Sequence, residues 1–278
     1  MDARAVLMVR PAAFGFNPEA AASNRFARAP TEGEREVATA ALREFDAYAE
    51  LLDRAGIAVT VLHDTPVPPK PDAVFPNNWV SFHPGGLAVL YPLAVVSRRP
   101  ERRRDVAFTR LVDLSGLEAA GAFVEGTGSM VFDHRRRVAW AGLSPRTTRE
   151  GVAGACAAIG YAPRCFSASL DGVSPYHTNV YLAIGSTLVA WAPAVMPPGD
   201  FLDGRAAIEL SVEQVLAFAG NLLQLDGVVV VSAAGWAALE PSQRALVERH
   251  GLVVTPDLGT IEAVGGGSAR CMVAEVFA

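Results

Sequence analysis

Short apolar runs rich in β-branched residues recur along the chain, separated by polar turns. Ala5–Val9, Ala58–Leu62, Leu87–Leu90, Val138–Ala141, Val180–Ile184, Thr187–Trp191, Gly227–Val231 and Leu252–Thr255 are each of strand length and predict buried strands. Between some of them, apolar residues fall at helical spacing. Thr31–Ala55 carries Val37, Leu42, Phe45, Leu51 and Leu52 in this way, and Gly56 follows as a C-cap. Thr148–Ile159 and Pro241–His250 behave likewise, each followed by glycine. The helix–glycine–strand junctions at 52–57, 158–161 and 249–253 predict a repeated α/β unit of about 40–60 residues, a period that fits a closed radial array. No linker or low-complexity stretch divides the chain, so one domain over residues 1–278 is expected.

With 278 residues, 51% of them hydrophobic, the chain buries a large core. Its net charge of −5 argues against a nucleic-acid partner, which needs a basic face. Lys70 is the only lysine and lies in a proline-rich loop, which speaks against Schiff-base chemistry. The longest uncharged stretch, Val180 to Gly199, is broken by Gly185, Pro193 and Pro197-Pro198 and reads as two strands and a loop, not a membrane span. Met1-Asp2-Ala3-Arg4 leads into only a short apolar run, so no signal peptide is expected. Cys156, Cys165 and Cys271 leave an odd thiol under any pairing and show no metal-ligand spacing, and a reducing cytoplasm is the simplest setting.

The segment from Gly265 to Met272 runs a triple glycine into Cys271. Glycines let backbone approach a ligand closely, and a cysteine after them is placed to lie exposed on a pocket floor as a nucleophile. A small buried hydrophobe before a terminal strand is the alternative. Of five histidines, His63 and His250 sit at element ends, while His83 and His134 belong to turns, the latter a solvated hairpin. His177 stands just before the strand Val180–Ile184 and is the preferred base. Glu125 follows an apolar segment and precedes a glycine-rich turn; burial there raises a carboxyl pKa and suits it to acid–base work. In Pro71–Phe82, the adjacent Asn77 and Asn78 are costly if buried without partners.

Taken in chain order, these pieces resemble the guanidine-modifying, or amidinotransferase-like, superfamily, which includes arginine deiminases, dimethylarginine dimethylaminohydrolases, agmatine deiminases and succinylarginine dihydrolases. The resemblance runs from Val9-Arg10-Pro11 to Cys271. Pro71–Phe82 is similar to the acidic substrate loop of the dimethylarginine hydrolases, and Glu125-Gly126 to the start of a Glu-Gly-Gly-Asp motif. Gly142-Leu143-Ser144-Pro145-Arg146-Thr147 resembles the stretch that holds the substrate carboxylate. His177 and Asn179 resemble a His-x-Asp motif, and the terminal glycines with Cys271 the nucleophile segment. The resemblance implies a five-bladed α/β propeller of pseudo-fivefold repeats, with no metal and no cofactor.

The departures are informative. Asn78 and Asn179 stand where the superfamily's deiminases carry acids, and Glu125-Gly126-Thr127-Gly128 lacks the motif's final carboxylate. Asparagine offers both a donor and an acceptor, which complements a neutral ureido group better than a cation. A subgroup proposed to hydrolyse citrulline shares the Phe-Pro-Asn-Asn-Trp loop, Phe75–Trp79 here. The resemblance therefore implies hydrolysis of citrulline to ornithine, CO2 and ammonia through a thiocarbamate on Cys271. His177 and Glu125 serve as its proton-handling partners. Asp72 takes the α-amino group, Arg146 with Arg99 or Arg98 the carboxylate, and Asn77, Asn78 and Asn179 the reacting end. Arginine deimination or dihydrolysis and dimethylarginine hydrolysis are the nearest rivals; an amidinotransferase and a non-catalytic amino-acid sensor are more distant ones. The partner is a small amino acid, and a homodimer is allowed, with Trp79 or Trp236 as interface candidates.

Overall fold

Five three-stranded sheets make up the strand content of the computed structural model, which describes residues 2–104, 106 and 108–277. Four of the sheets repeat one pattern: a hairpin followed by a third strand parallel to the hairpin's second. They are Val80–His83, Leu87–Leu90 and Arg110–Asp113; Met130–Asp133, Val138–Leu143 and Ala162–Ser167; Leu182–Ile184, Leu188–Trp191 and Ala206–Glu209; and Leu223–Leu225, Val228–Val230 and Leu252–Val254. The remaining sheet has the same arrangement but is assembled from both ends of the chain. Ala274–Val276 pairs antiparallel with Ala5–Arg10, which runs parallel to Ala58–His63. Parallel neighbours need a crossover. Helices Glu34–Arg54, Arg149–Ile159 and the pair Ala233–Ala238 and Pro241–Glu248 supply three of them, and the 3-10 turns Val96–Glu101 and Asp200–Leu202 lie within the other two. This mixed α/β plan of five like sheets fits a pseudo-fivefold arrangement.

The helix Glu34–Arg54 buries Val37, Ala41, Phe45, Tyr48 and Leu52, a stripe at spacings of three and four. It ends where Gly56 adopts a left-handed φ of 85°. All eight predicted strands are present within one or two residues, although Val180 belongs to a 3-10 turn and its strand begins at Leu182. The strands the pattern did not predict include Arg110–Asp113, Ala162–Ser167 and Ala206–Glu209. These edge strands are largely exposed, so no apolar alternation marks them.

In each sheet the first strand of the antiparallel pair opens from a short turn or tight bend, and in all but Ala274–Val276 that strand is largely buried. Those lead-ins are Pro76–Asn78, Gly126–Ser129, Thr178–Val180, the bend at Asn221, and Ala269–Met272. Sequence-distant units are tied together by buried charge as well as by apolar packing. Arg205 grips both carboxylate oxygens of Asp133 at 3.0 and 2.6 Å and also donates to Phe201 O. Trp79 is 1% exposed and belongs to the core, so it cannot form a subunit interface as expected; Trp236 is half-buried under the Arg244 guanidinium.

The hairpin turn after Asp133 is present, but His134 is not solvated. Its ring lies 4.9 Å from that of Phe277, and Nδ1 is 2.8 Å from the Tyr161 hydroxyl. His83 is buried beside Phe132 with Nε2 on the Ser81 hydroxyl. Burial pushes both imidazoles down to about 4 from 6.5. Between those values the unfolded chain binds protons that the folded one refuses, so stability is lost as pH falls through this window and is indifferent to these groups above it. Urea denaturation midpoints are therefore expected to be flat from pH 8 down to about 6.5 and to drop steeply by about pH 4. A profile flat across the whole range contradicts the buried neutral histidines.

Candidate active site

Three of the lead-in turns meet at one small cavity, to which they bring Asn78, His177 and Cys271. Asp72, Asn78, Arg98, Arg146, His177 and Cys271 form its polar wall, with Phe75, Tyr176, Gly265 and Gly267 among the remainder. The space open to the centre of a water molecule is about 10 Å³, room for about one water. Glycine makes the convergence possible. A Cβ at Gly128 would stand 2.7 Å from both Asn78 Nδ2 and the His177 ring, so this position has no room for a side chain, acidic or otherwise. Gly266 takes a left-handed φ of 64°, which turns the backbone beneath Asn24 and Tyr176; both donate to its carbonyl.

Glu125 is fully buried at the foot of this wall. Oε1 accepts from the Ala94 amide at 3.1 Å; Oε2 accepts from His177 Nε2 at 2.8 Å and lies 3.4 Å from Arg146 Nη1. Burial alone raises its pKa, as expected from the sequence. Arg146, His177 and Arg98 outweigh burial and hold the carboxyl down at about 2. The net direction is thus the reverse of the expected one, and Glu125 is an anion. Burial in turn pushes His177 down to about 4 against the pull of Glu125. The imidazole is neutral at pH 7, and its bond to a carboxylate assigns the proton to Nε2, which leaves a lone pair on Nδ1.

Cys271 lines the cavity but is only 2% exposed, not the open thiol expected. Its Sγ accepts from Asn179 Nδ2 at 3.5 Å and from Asn221 Nδ2 at 3.4 Å. Burial raises the thiol pKa, and the Ser268 backbone, these two amides and Arg270, in that order, only moderate the rise. Asn221 was not singled out in the sequence. Its signal was there, because Gly220-Asn221 precedes a buried strand as Asn77-Asn78 and Thr178-Asn179 do.

The remaining candidates divide. Arg98, expected to open a solvated run, is 2% exposed. It donates to both Glu101 oxygens at 2.9 and 2.8 Å and to Asn78 Oδ1 at 2.8 Å. Arg99 is not brought to the cavity: it donates to Leu93 O and pairs with Glu118, so the substrate-contact expectation for Arg99 is corrected in favour of Arg98. Asn77 lies behind Asn78, whose Nδ2 it accepts at 2.9 Å, and its own Nδ2 has no partner. Asn179 Oδ1 is likewise buried without a partner. Asp72 accepts from Asn17 at 2.7 Å and lies 3.7 Å from Arg98 Nε.

A segment after the first strand covers the cavity. Asn17 caps the short helix Pro18–Ala21. Glu19 accepts from the Val96 and Ser97 amides, each at 2.9 Å. Arg146 donates from Nε to Ser23 Oγ at 2.8 Å and from Nη2 to Ala20 O, while its guanidinium stacks 5.1 Å over Tyr176. The guanidinium is thus committed to the covering segment and to Glu125.

Residues 10–278 match the family model described as N,N dimethylarginine dimethylhydrolase, eukaryotic. No curated protein matches the chain. Among solved structures, the substrate-bound N-terminal domain of ArgZ, an arginine dihydrolase from the ornithine–ammonia cycle in cyanobacteria, superposes with a TM-score of 0.76 at 15% identity, over 98% of this chain and 97% of that one. Dimethylarginine dimethylaminohydrolase from Pseudomonas aeruginosa complexed with citrulline gives 0.68 at 18% identity, over 99% and 100% of the two chains. A dimethylarginine dimethylaminohydrolase adduct with 4-chloro-2-hydroxymethylpyridine gives 0.69 at 19% identity, over 98% and 99%. The solved structures agree in fold, the family match spans all but the first nine residues, and the chain belongs to the eukaryotic-type N,N dimethylarginine dimethylhydrolase family of the guanidine-modifying superfamily, hydrolases acting on carbon–nitrogen bonds.

Proposed function

We propose that the chain is a single five-bladed α/β-propeller domain that hydrolyses a ureido or guanidino carbon–nitrogen bond of an arginine-like amino acid, foremost citrulline to ornithine, CO2 and ammonia. The observation that carries this reading is that each carboxylate around the cavity is already paired within the protein. Glu125 is held by Arg146 and His177, Glu101 by Arg98, and Asp72 by Asn17 with Arg98 nearby. A guanidinium entering here meets no unpaired acid, and desolvating a cation without one is costly. A neutral ureido group meets Asn78 instead. Its Oδ1 is taken by Arg98, and Nδ2 spends one hydrogen on Asn77, which leaves an N–H for the ureido oxygen.

In this reading Cys271 gives up its proton and attacks the ureido carbon, and a tetrahedral oxyanion forms against the Asn78 N–H. His177 Nδ1 takes up the proton and delivers it to the ureido NH2 group, which departs as NH3; Glu125 stabilises the transient imidazolium. A water then loses its proton to His177 and attacks the thiocarbamate carbon. The thiolate leaves and is reprotonated, and the released carbamate decomposes to ornithine and CO2. Arg146 and Arg98 take the α-carboxylate and Asp72 the α-amino group. Because Arg146 is bonded to Ala20 and Ser23, the carboxylate must displace the covering segment, which then closes again over the bound amino acid and shields the site from bulk solvent while the one hydrolytic water stays within it.

A second reading, dihydrolysis of arginine, is favoured by the likeness to ArgZ, which is described as an arginine dihydrolase; there the ureido compound is the second-stage substrate. Incubating the pure protein separately with L-citrulline and L-arginine, and measuring ornithine and ammonia, separates the two. Citrulline is expected to yield ornithine and ammonia in equal amounts, with arginine inert. Ornithine from both selects the dihydrolase, and citrulline accumulating from arginine contradicts the reading of the asparagines. Cys271→Ala is expected to lower kcat by about a thousandfold or more in either case; full retained activity contradicts the nucleophile. Asn78→Asp removes a donor from the oxyanion and supplies an anion for a guanidinium. It is expected to lower kcat/KM for citrulline about a hundredfold while improving arginine relative to citrulline; an unchanged substrate ratio removes Asn78 from the account.

A further inference from the structure

We propose that Asn221 is a catalytic residue that stabilises the anion formed when the Cys271 sulfur gives up its proton, acting as an amide clamp with Asn179. The proposal rests on the reading of Cys271 as nucleophile. Asn221 is fully buried, and its Oδ1 accepts the Arg270 backbone N–H at 2.9 Å. That peptide donor fixes which way the amide faces, so the NH2 end has to point to the opposite side. There it donates to Asn179 O at 2.9 Å and to Cys271 Sγ at 3.4 Å. Asn179 Nδ2 approaches the same sulfur at 3.5 Å. Hydrogen bonds offered to a group favour its charged form.

The backbone is shaped to make this contact. Phe218 adopts a left-handed φ of 63°, and Gly220 presses so closely on the Thr178–Val180 turn that a Cβ would lie 2.4 Å from Val180 O. The two asparagine-bearing turns are thereby brought side by side under the sulfur.

The other charged and titratable groups around the thiol do not replace the clamp. Arg270, on its own turn, directs its guanidinium to Glu275 and Val273 O. The hydroxyls of Tyr48, from the long helix, and of Tyr176 are committed to Ala269 O and Gly266 O. His177 donates to Glu125, and Asp72, Arg98 and Arg146 across the cavity bond to one another's neighbours and to the covering segment. Among the described residues, the two side-chain amides are the sulfur's side-chain hydrogen-bond donors.

The test is the ionisation midpoint of Cys271, read from ultraviolet thiolate absorbance as the difference between each protein and the same protein carrying Cys271→Ala. This needs neither substrate nor a reagent that must enter the cavity, and Cys156 and Cys165 cancel in the difference. Asn221→Ala, which removes one donor, is expected to weaken ionisation about tenfold, one pH unit in the midpoint. Asn221→Asp, which turns a carboxylate oxygen toward the sulfur, is expected to weaken it further, with the alkaline limb of the kcat/KM profile moving in parallel. A midpoint in folded Asn221→Ala that coincides with the parent overturns the proposal; if Asn221→Asp fails to fold, the alanine variant decides alone. Failure of the nucleophile reading would appear separately, as turnover surviving Cys271→Ala while the midpoints still shift.

Discussion

The site depends on one buried carboxylate. Glu125 has no exposure to solvent, so its charge must be met by protein groups or not exist. It is met by the Ala94 amide after the hairpin of one sheet, Arg146 after the hairpin of the next and His177 at the entry of a third. This single anion therefore fixes the relative placement of three repeat units. It also fixes the proton on Nε2 of the only histidine on the cavity wall among the described residues. Removing one partner from such a group leaves an uncompensated buried charge, which costs on the order of 3–5 kcal/mol. Arrangement and chemistry are consequently inseparable here: the contact that orders the imidazole also joins the sheets.

From that anchor the rest of the cavity reads as a balance of paired charges. Arg98 satisfies Glu101 and orients Asn78; Arg146 satisfies Glu125 and fastens the covering segment at Ala20 and Ser23. The wall thus sets Asn78 and the Cys271 thiol beside two guanidinia and Asp72 in one small cavity.

Much of this was legible in the sequence, and the gaps have physical causes. Apolar runs located the buried strands because burial on both faces leaves continuous hydrophobic stretches. Edge strands such as Ala162–Ser167 face solvent and carry no such mark. Glu125, His177 and Cys271 stood out as reactive types beside glycine or at strand mouths, yet their ionisation was misread. Sequence gives burial but not the partners that reverse its effect on Glu125, and for Cys271 it left an exposed nucleophile and a buried thiol both open, where the structure encloses the thiol on the cavity wall. Arg98 was hidden inside an arginine run whose neighbours face outward, since composition cannot tell which member turns inward. Asn221 was missed because asparagine before a strand usually marks a turn; only the juxtaposition with Asn179, 42 residues before it, and Cys271, 50 residues after it, gives it a chemical partner.

The central claim is that Cys271 becomes covalently bonded to the ureido carbon during turnover. Acid quenching of the protein in the first turnovers on L-citrulline, followed by mass spectrometry of the intact chain and its peptides, tests it most directly. The account predicts an added mass equal to citrulline less ammonia, confined to the peptide that contains Cys271 and absent from Cys271→Ala. Ornithine production that proceeds with no adduct on that peptide at any quench time, while the same procedure traps the adduct in a related enzyme, would contradict it.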